Sequence, residues 1–371
     1  MARRRVPNFC FEYVEGGSED EATLRRNREV FSNIAFQPRT LVDVTVRNQR
    51  RRLLGEEIAS PFLIGPTGFS GLLSSEGDVS MARAAASAGI PFVLSNVSTT
   101  SREDVVRRAG ADAREGGQVY MYRTREFVEK IARRAQDAGI GTLVLTTDSA
   151  IYGKREWDVR NFSGPLSLNW RNKIDVIRHP RWIFDILFPH GFPHFANVGD
   201  LLPPGQTSVR GAASSMIGQS LDPSLCWRDV EWLRDIWPGK LVIKGVMNAQ
   251  DAVRAISVGA DGIVLSNHGG RQLDGALSTM DVLPEVVAEV QGRLAVMLDG
   301  GFRRGSDIVK AVALGADAVL VGRATTYGLA AGGQAGAERA IEILRSEIDR
   351  VLGLMGCPDL SQVDQSYLRA I

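Results

Sequence analysis

The sequence predicts an α/β fold of the (β/α)8 or TIM-barrel type, in which eight parallel strands close into a barrel and a helix follows each strand. The first observation behind this prediction is a recurring pattern of a glycine-capped helix end, a tight turn, a short apolar run and a polar or glycine residue. It occurs at residues 88–95, 138–146, 259–266 and 315–322. The second is that comparable apolar runs number eight in all, with helical periodicity between them. Eight such units favour a closed barrel over an open doubly wound sheet.

The predicted strands are short, apolar and rich in β-branched residues, as expected for strands that are buried on both faces of a parallel sheet. They lie at residues 62–65, 92–95, 118–120, 142–146, 241–244, 262–266, 295–299 and 318–321. Apolar residues at helical spacing predict intervening helices, at residues 79–88, 102–109, 125–138, 249–258, 280–290 and 306–314. This alternation is the pattern of a parallel sheet with crossover helices.

We predict a single domain over residues 1–371. Residues 1–60 are expected to form an N-terminal helical cap over one end of the barrel, residues 61–330 the barrel itself, and residues 331–371 C-terminal helices. A long segment rich in Pro, Trp, Phe and His, residues 162–227, is inserted after the fourth strand. A loop of this length in a compact domain is usually a lid, an interaction surface or partly disordered.

Charge and cysteine usage narrow the functional class. The 44 basic and 43 acidic residues give a formal net charge of +1, which favours no nucleic-acid partner. Cys10, Cys226 and Cys357 have no paired spacing, which argues against a disulfide framework or a metal site. The basic start of the chain is not followed by an apolar core of signal-peptide length, and no run reaches the roughly 18 apolar residues of a membrane span. We therefore expect a cytoplasmic protein without a metal.

Active sites of such barrels lie at the C-terminal ends of the strands, so the residues after each strand are the candidates. Each of the eight predicted ends carries a group that can bind or react, whereas a purely structural barrel is expected to show such groups at only some ends. In chain order these groups are Pro66, Thr67 and Gly68; Ser95 and Asn96; Gln118 and Tyr120; Thr146, Thr147 and Asp148; Lys244; Ser266, Asn267 and His268; Asp299, Gly300 and Gly301; and Gly322 and Arg323.

The polar segment after the sixth strand, residues 266–275, combines a histidine, two glycines and an arginine. His268 is suited to accept a proton near neutral pH, and the planar guanidinium of Arg271 can bind a carboxylate through two hydrogen bonds. Asp148 is expected to accept a hydrogen bond from one imidazole nitrogen, which fixes the tautomer and stabilises the imidazolium. Two structural alternatives remain at this point: a buried histidine in a glycine-rich turn, and a local ion pair between Asp148 and Arg155.

Glycines and arginines after the last two strands stand where barrels of this type commonly bind phosphate. Small residues after the first strand suit a flat ring, and a phosphate together with a planar ring fits flavin mononucleotide (FMN). Lys244 would place a cation beside that ring and stabilise its reduced, negatively charged form. Taken alone, Lys244 is also compatible with a Schiff-base lysine. The phosphate candidates are Gly300, Gly301, Arg303, Gly322 and Arg323.

The substrate is predicted from two arginines and two tyrosines expected near His268. Arg155 or Arg271 can form a bidentate pair with a carboxylate, and the other lowers the charge of an enolate-like transition state. Tyr13 and Tyr120 are the neighbouring tyrosines. The expected substrate is an acid whose reacting group lies next to its carboxylate.

At these residues the sequence resembles the FMN-dependent α-hydroxy acid dehydrogenase and oxidase family, over nearly the whole chain. Residues 266–274, SNHGGRQLD, are a highly specific signature of that family, and residues 299–307, DGGFRRGSD, are nearly as specific. The resemblance implies oxidation of an (S)-2-hydroxy acid to the 2-oxo acid by FMN, in a homotetramer. The reduced cofactor would pass its electrons to oxygen, a quinone or a carrier protein.

The resemblance also implies a role for each site residue. His268 would be the base and Asp148 would orient it, while Arg155, Arg271 and Tyr13 would hold the carboxylate. Tyr120 would contact the substrate hydroxyl, and Lys244 would lie at the N1/O2 edge of the flavin. The residues implied to hold FMN are Pro66, Thr67, Gly68, Ser95, Gln118, Thr146, Ser266, Asp299, Gly301, Arg303, Gly322 and Arg323.

Two regions point to different branches of this family. Residues 65–68 and 322–331 are most similar to the mandelate dehydrogenase branch, where glycine at position 68 goes with larger substrates. The insertion is instead similar to quinone-linked lactate dehydrogenases in its His-Pro-x-Trp pattern at residues 179–182. We therefore expect a mandelate-like or other bulky hydroxy acid, with L-lactate as the alternative.

Residues 173–195 mix basic and aromatic side chains, so the insertion is compatible with a membrane surface as well as with a lid or a subunit contact. A second hypothesis, from another class, is an FMN barrel that isomerises its substrate without net redox change. It differs from the first in predicting that no 2-hydroxy acid bleaches the flavin anaerobically. A third hypothesis is a catalytically silent partner subunit.

Overall fold

The computed structural model describes residues 1–110, 112–164, 167–188, 191–199 and 219–371. Within these residues, eight parallel strands close into a barrel, with the last strand paired to the first through Val319 and Phe62. This arrangement confirms the predicted (β/α)8 fold.

The barrel strands agree with the predicted positions except at the start of the third. They are β1 Phe62–Ile64, β2 Phe92–Leu94, β3 Glu115–Tyr120, β4 Thr142–Thr146, β5 Lys240–Val246, β6 Gly262–Leu265, β7 Ala295–Leu298 and β8 Ala318–Val321. The β3 strand begins three residues before the predicted range 118–120, because Gly116 and Gly117 pair with both neighbouring strands through their backbones alone. Glycines carry no apolar signal, so this part of the strand was missed.

A helix follows each barrel strand within the described residues. These helices are α1 Gly77–Ser87, α2 Arg102–Ala109, α3 Arg125–Asp137, α4 Trp227–Ile236, α5 Ala249–Ser257, α6 Thr279–Val290, α7 Gly305–Ala313 and α8 Arg323–Met355. The α8 helix is kinked at Gly332 and Gly333, where the backbone leaves helical geometry. The boundary that we predicted between residues 330 and 331 lies next to this kink, where one helical segment ends and the next begins.

The first 60 residues cover both ends of the barrel, rather than the single end that the sequence predicted. Helices Asn8–Glu15 and Ala22–Glu29 lie over the C-terminal ends of the strands, where Tyr13 lines the main pocket. A hairpin of strands Arg51–Leu53 and Glu56–Ile58 closes the opposite end. Its buried side chains pack with apolar residues that point into the barrel, among them Leu63, Val93, Val144, Val242 and Val264.

The described part of the insertion is largely helical and is anchored to the barrel. It contains helix Trp170–Ile177 and a short helix Pro180–Trp182, which continues as a π-helical turn Ile183–Leu187. The buried indole of Trp182 donates a hydrogen bond to the Leu72 carbonyl at 2.7 Å. Residues 165–166, 189–190 and 200–218 of the predicted insertion lie outside the described residues. No helix that the structure describes has both the length and the hydropathy of a membrane-spanning segment.

Candidate active site

A pocket lies at the C-terminal ends of the barrel strands, and each of the eight strands contributes to its wall a residue from its end or from the segment that follows it. Most of the sequence-predicted residues line it directly: Tyr13, Pro66, Thr67, Gly68, Ser95, Tyr120, Arg155, Lys244, His268, Arg271, Asp299, Gly301, Arg303, Gly322 and Arg323. The other predicted residues, Gln118, Thr146, Asp148 and Ser266, lie behind this wall and bond to one another or to lining residues. The fold thus brings together side chains that are more than 300 positions apart.

His268 is held by one hydrogen bond of its imidazole and one of its backbone. Its Nδ1 lies 2.8 Å from Oδ1 of Asp148, and its backbone N–H donates to the hydroxyl of Ser266 at 3.0 Å. The residue has a φ of 57°, a left-handed conformation that turns the chain sharply at the end of β6. An ionised carboxylate only accepts hydrogen bonds, so Nδ1 carries the proton and Nε2 keeps its lone pair. The structure therefore presents a neutral imidazole as a base.

Burial and nearby charges maintain this protonation pattern. Burial lowers the pKa of His268, and the charges of Lys244 and Arg155 add to that effect, while Asp148 opposes it. Burial acts to raise the pKa of Asp148, but His268 and Lys244 outweigh it and hold that pKa well below its usual range. Asp148 is accordingly ionised at neutral pH, where His268 is free to accept a proton.

Lys244 is a buried cation between two carboxylates. Its ammonium lies 3.1 Å from Asp299 and 3.8 Å from Asp148, and it donates to the hydroxyl of Ser266 at 2.7 Å. Burial opposes its charge, yet the two carboxylates raise the pKa of Lys244 above its usual value. A lysine that stays protonated is a poor Schiff-base nucleophile, so this geometry favours the electrostatic role predicted for Lys244.

Buried positive charge is concentrated at the end of the pocket that is formed by the residues after β7 and β8. Burial and repulsion from Arg271 and Arg303 lower the pKa of Arg323 to about 9, and burial lowers the pKa of Arg303 as well. Gly300 and Gly301, with φ of 97° and 84°, line the same end. A bound dianion would relieve the repulsion between these arginines. Glycines that expose backbone N–H groups are also typical of phosphate sites. This end of the pocket therefore fits the phosphate of FMN.

The opposite side of the pocket is built from small and neutral polar groups, as a flat ring requires. The Gln118 amide donates to Thr146 at 3.2 Å and accepts from the backbone N–H of Asn96 at 2.9 Å. Gly68 lies so close to Val97 that an added Cβ would approach its Cγ2 to 2.6 Å. These groups, with Pro66, Thr67 and Ser95, fit an isoalloxazine ring next to Lys244.

The two arginines that the sequence predicted to bind the substrate are oriented by backbone carbonyls and a glutamine. Arg155 donates to the Arg271 carbonyl at 3.2 Å and to the Gln272 side chain at 3.3 Å. Arg271 donates to the carbonyls of Tyr13 and Gly16, each at 2.7 Å, and its guanidinium lies over the Tyr13 ring. The structure pairs the carboxylate of Asp148 with His268. The alternative of a local ion pair between Asp148 and Arg155 is therefore not needed to account for the position of Asp148.

The remaining predicted residue, Tyr120, lines the pocket near these arginines. Burial raises the pKa of its hydroxyl well above the usual value, and the nearby charges of Tyr152 and Asp148 add to this effect. The phenol is therefore protonated at neutral pH and available as a hydrogen-bond donor.

Several residues of this site were missed from the sequence. Asn27 of the cap and Asn267 exchange two amide hydrogen bonds, at 2.9 and 2.8 Å, and both are buried. Gln272 donates to the Asp148 carbonyl at 3.0 Å and positions Arg155. Tyr152 lines the pocket, with its ring 4.5 Å from the Arg155 guanidinium carbon. Asn267, already a candidate after the sixth strand, and Gln272 lie inside the signature segment, so both carried a sequence signal. The others depend on contacts between distant parts of the chain.

The two residues that follow Ser95 at the end of β2, Asn96 and Val97, take different places. Val97 lines the pocket. Asn96 is buried behind it, where its amide donates to the Tyr122 hydroxyl at 2.8 Å and accepts from Arg102 at 2.9 Å. Of the two residues, Val97 is therefore the one that shapes the pocket directly.

Comparisons with known proteins agree with this geometry. The model of the FMN-dependent dehydrogenase family matches residues 2–370. The chain is 46% identical to (S)-mandelate dehydrogenase from Pseudomonas putida, over 100% of its own length and 92% of that protein. It is 40% identical to L-lactate oxidase from a Nostoc species, over 99% of its own length and 95% of that protein.

Solved structures give the same picture. The crystal structure of the monotopic membrane protein (S)-mandelate dehydrogenase superposes with a TM-score of 0.93 and 44% identity, covering 100% of this chain and 97% of that chain. The crystal structure of mandelate oxidase with (S)-4-hydroxymandelic acid superposes with a TM-score of 0.85 and 34% identity, covering 99% and 96% of the two chains.

Proposed function

The chain belongs to the FMN-dependent dehydrogenase family, and from that premise we propose that it oxidises an (S)-2-hydroxy acid to the corresponding 2-oxo acid. The observation that carries the proposal is the buried His268–Asp148 pair at 2.8 Å, which opens into a pocket with two arginines and a buried lysine. Oxidation of the carbon next to a carboxylate requires a base, a guanidinium that binds the carboxylate and a fixed cation.

FMN fits the pocket at both of its ends. Arg303, Arg323 and Gly301 would hold the phosphate, and Lys244 would face the pyrimidine edge of the ring. When bound, FMN supplies the acceptor for the two electrons that leave the substrate. The other residues proposed to hold it are Pro66, Thr67, Gly68, Ser95, Gln118, Thr146, Ser266, Asp299 and Gly322.

The residues around His268 divide the remaining tasks. Arg155, Arg271 and Tyr13 bind the substrate carboxylate, and the protonated phenol of Tyr120 donates to the substrate hydroxyl. Nε2 of His268 takes a proton from the substrate, either from C2 or from the hydroxyl group. Asp148 stabilises the resulting imidazolium across the 2.8 Å contact.

A bulky, mandelate-like side chain is the preferred substrate. Gly68 adds no side chain to the part of the lining that it shares with Val97, and Tyr152 adds an aromatic face. Two relatives have names that specify mandelate, and others have names that specify L-lactate, which is the alternative.

Anaerobic mixing with single hydroxy acids tests the reaction and the substrate together. We expect (S)-mandelate to bleach the flavin absorbance faster than L-lactate does, and (R)-mandelate to leave it unchanged. His268→Asn should slow bleaching by at least about 10³-fold, since the base is lost. The matched control His179→Asn replaces a histidine of the insertion that does not line the pocket. If no hydroxy acid bleaches the flavin, the redox assignment is wrong and a non-redox barrel is favoured.

We further propose that the insertion attaches the protein peripherally to a membrane and gives access to a quinone acceptor. Its described helices expose Trp170, Ile177, Phe184 and Phe188, of which Phe188 is 78% exposed. Exposed basic residues alternate with them: Arg171, Lys173, Arg178 and Arg181. Apolar side chains with flanking positive charge are typical of surfaces that bind anionic lipids. One similar structure is that of a monotopic membrane protein, which supports this assignment.

Sedimentation with lipid vesicles tests the membrane proposal. The protein should sediment with vesicles that contain anionic lipid, and the double variant Phe184→Ser/Phe188→Ser should stay in the supernatant. Leu354→Ser is the matched control, because Leu354 is 74% exposed on α8, outside the insertion. Equal sedimentation of both variants would show that the insertion is not the attachment site.

We also propose the homotetramer that the family resemblance implies, located at the cytoplasmic face of the membrane. Light scattering of the detergent-solubilised protein should give four times the 40.4 kDa mass of the chain. A monomeric mass would rule the tetramer out.

A further inference from the structure

Tyr152 lies on the exposed side of the active-site pocket, in the segment between β4 and the insertion. Its side chain lines the pocket, yet the residue is 36% exposed, so a molecule that enters the pocket can cover the exposed part of its ring. The centroid of the ring lies 4.5 Å from the guanidinium carbon of Arg155. The proton transfer proposed for His268 and Asp148 does not use this residue.

The backbone on both sides of Tyr152 is held by one side chain, the amide of Gln272. This amide donates to the Ile151 carbonyl at 3.1 Å and accepts from the backbone N–H of Gly153 at 3.2 Å. Its other N–H and its other lone pair bond within residues 148–155 as well, at 3.0 and 3.3 Å. An amide has two N–H donors and an oxygen with two lone pairs, so these four bonds use its full capacity. The backbone of Tyr152 is therefore fixed relative to the signature segment.

Close backbone packing at Gly153 provides a second restraint. A Cβ added to this glycine would lie 2.5 Å from the Arg271 carbonyl oxygen and 2.8 Å from Cα of Gln272. Both are backbone atoms, so a side chain at position 153 would push the segment away from the signature segment. Glycine at this position thus lets the segment that carries Tyr152 pack directly on the segment that carries Arg271.

Tyr152 is also next to the groups proposed to bind two substituents of the substrate. Its ring lies against Arg155, which is proposed to bind the carboxylate. Burial is the main cause that raises the pKa of Tyr120, the proposed partner of the hydroxyl, and Tyr152 adds more to this effect than any other titratable neighbour. The carboxylate, hydroxyl and side chain of a 2-hydroxy acid are all attached to C2. A residue next to the binding groups for the first two is therefore in position to contact the third.

From this arrangement we propose that the ring of Tyr152 contacts the side chain of the substrate and selects 2-hydroxy acids with an aromatic side chain. This role rests on the proposed function, because it assigns a further residue to the same site. Aromatic rings attract one another through edge and face contacts, and a ring that is already in position loses little conformational entropy on binding. Gln272 and Gly153 are positioning residues, since they act through the backbone of Tyr152.

Binding of acids that cannot be oxidised at C2 tests this contact separately from the reaction. Phenylacetate and propionate have the carboxylate but no hydroxyl group, so their affinity can be measured from the change in flavin absorbance of the FMN-loaded protein. Tyr152→Ala should weaken phenylacetate binding at least about tenfold and change propionate binding by less than about twofold. Tyr152→Phe keeps the ring, so it should bind both acids as the wild type does.

The ratio of the two affinities distinguishes a substrate contact from a purely structural role. If Tyr152 only oriented Arg155, Tyr152→Ala would weaken both acids by the same factor, because both have the carboxylate. Ile151→Ala is the matched control, since Ile151 is 76% exposed and is not part of the pocket lining, and both affinities should stay unchanged. Equal weakening of the two acids in Tyr152→Ala, or weakening of neither, would overturn the proposal.

Two variants that leave the ring in place test the positioning residues. Gly153→Ala and Gln272→Met should each weaken phenylacetate binding at least about threefold more than propionate binding, because a displaced backbone moves the ring. If neither variant changes the ratio of the two affinities, Gln272 and Gly153 do not position Tyr152.

Turnover separates this role from the proposed reaction. Tyr152→Ala should lower kcat/KM for (S)-mandelate at least about tenfold more than kcat/KM for L-lactate. If no hydroxy acid bleaches the flavin, the proposed reaction fails, and the affinities for phenylacetate and propionate still decide whether Tyr152 contacts an aromatic ligand.

Discussion

At the scale of single residues, the proposed chemistry depends on keeping His268 neutral. The imidazole must be unprotonated to accept a proton, so kcat/KM should fall as the pH drops through its pKa. Burial and two nearby cations lower that pKa from 6.5, so the acid limb of the profile should lie below pH 6.5. Measurement of kcat/KM between pH 5 and 8 checks this prediction, and an acid limb above pH 6.5 would contradict it.

Asp148→Asn is a second test of the His268–Asp148 pair. Loss of the carboxylate removes the group that raises the imidazole pKa and fixes the Nδ1–H tautomer. The rate of flavin reduction should fall by about 10²- to 10⁴-fold, and the acid limb should move to lower pH. An unchanged acid limb in this variant would assign the titration to another group.

The width of the pocket also depends on two single residues, Gly68 and Val97. Gly68→Ala places a Cβ 2.6 Å from Val97 Cγ2, so one of the two residues must move. We expect the variant to lose about tenfold or more in kcat/KM for (S)-mandelate. The double variant Gly68→Ala/Val97→Ala should recover most of this loss, because the shortened side chain removes the clash. Additive losses in the two single variants would show that Val97 is not the constraint.

At the scale of elements, the cap helix Ala22–Glu29 fixes the loop that carries His268. The reciprocal amide pair of Asn27 and Asn267 is buried, and Asn27→Ala removes both of its hydrogen bonds, while Asn267 keeps its bond to the Leu277 carbonyl. We expect a loss of about 1–3 kcal/mol in the free energy of unfolding. Flavin reduction should slow as well, since the imidazole follows directly in the chain. Chemical denaturation and stopped-flow absorbance measure the two effects.

Arg25→Ala is the matched control for this contact. Arg25 lies on the same helix with an exposed side chain, so its replacement should change the free energy of unfolding by less than about 0.5 kcal/mol. A comparable loss in both variants would mean that the helix, and not the amide pair, carries the effect.

At the scale of the whole molecule, the sequence is most informative where a signal is local. Apolar runs such as residues 262–265 and the polar ends that follow them placed the strands and most of the pocket lining correctly. Contacts across the fold left no such signal: the Asn27–Asn267 pair joins residues 240 positions apart. The glycines at the start of β3 and the hairpin at residues 51–58 were missed for the same reason, because their positions are set by neighbouring strands and by the barrel interior.

Cofactor binding should also control the stability of the whole molecule. The buried arginines repel one another, and a phosphate group relieves that repulsion, so removal of FMN should lower the melting temperature. A ligand at 100 times its dissociation constant adds about 2.7 kcal/mol, and FMN should restore at least this much. Inorganic phosphate should raise the melting temperature of the apoprotein, but not that of the FMN-loaded protein. Sodium chloride at equal ionic strength is the control for screening.

Arg303→Met identifies the source of the phosphate effect. This variant removes one of the repelling charges and one of the proposed phosphate ligands, so the apoprotein should no longer respond to phosphate. Affinity for FMN should fall by at least tenfold, because a charge-assisted hydrogen bond is lost. Differential scanning fluorimetry and flavin fluorescence titration measure the two quantities. Wild-type apoprotein that responds equally to phosphate and to sodium chloride would show that the arginines do not form an anion site.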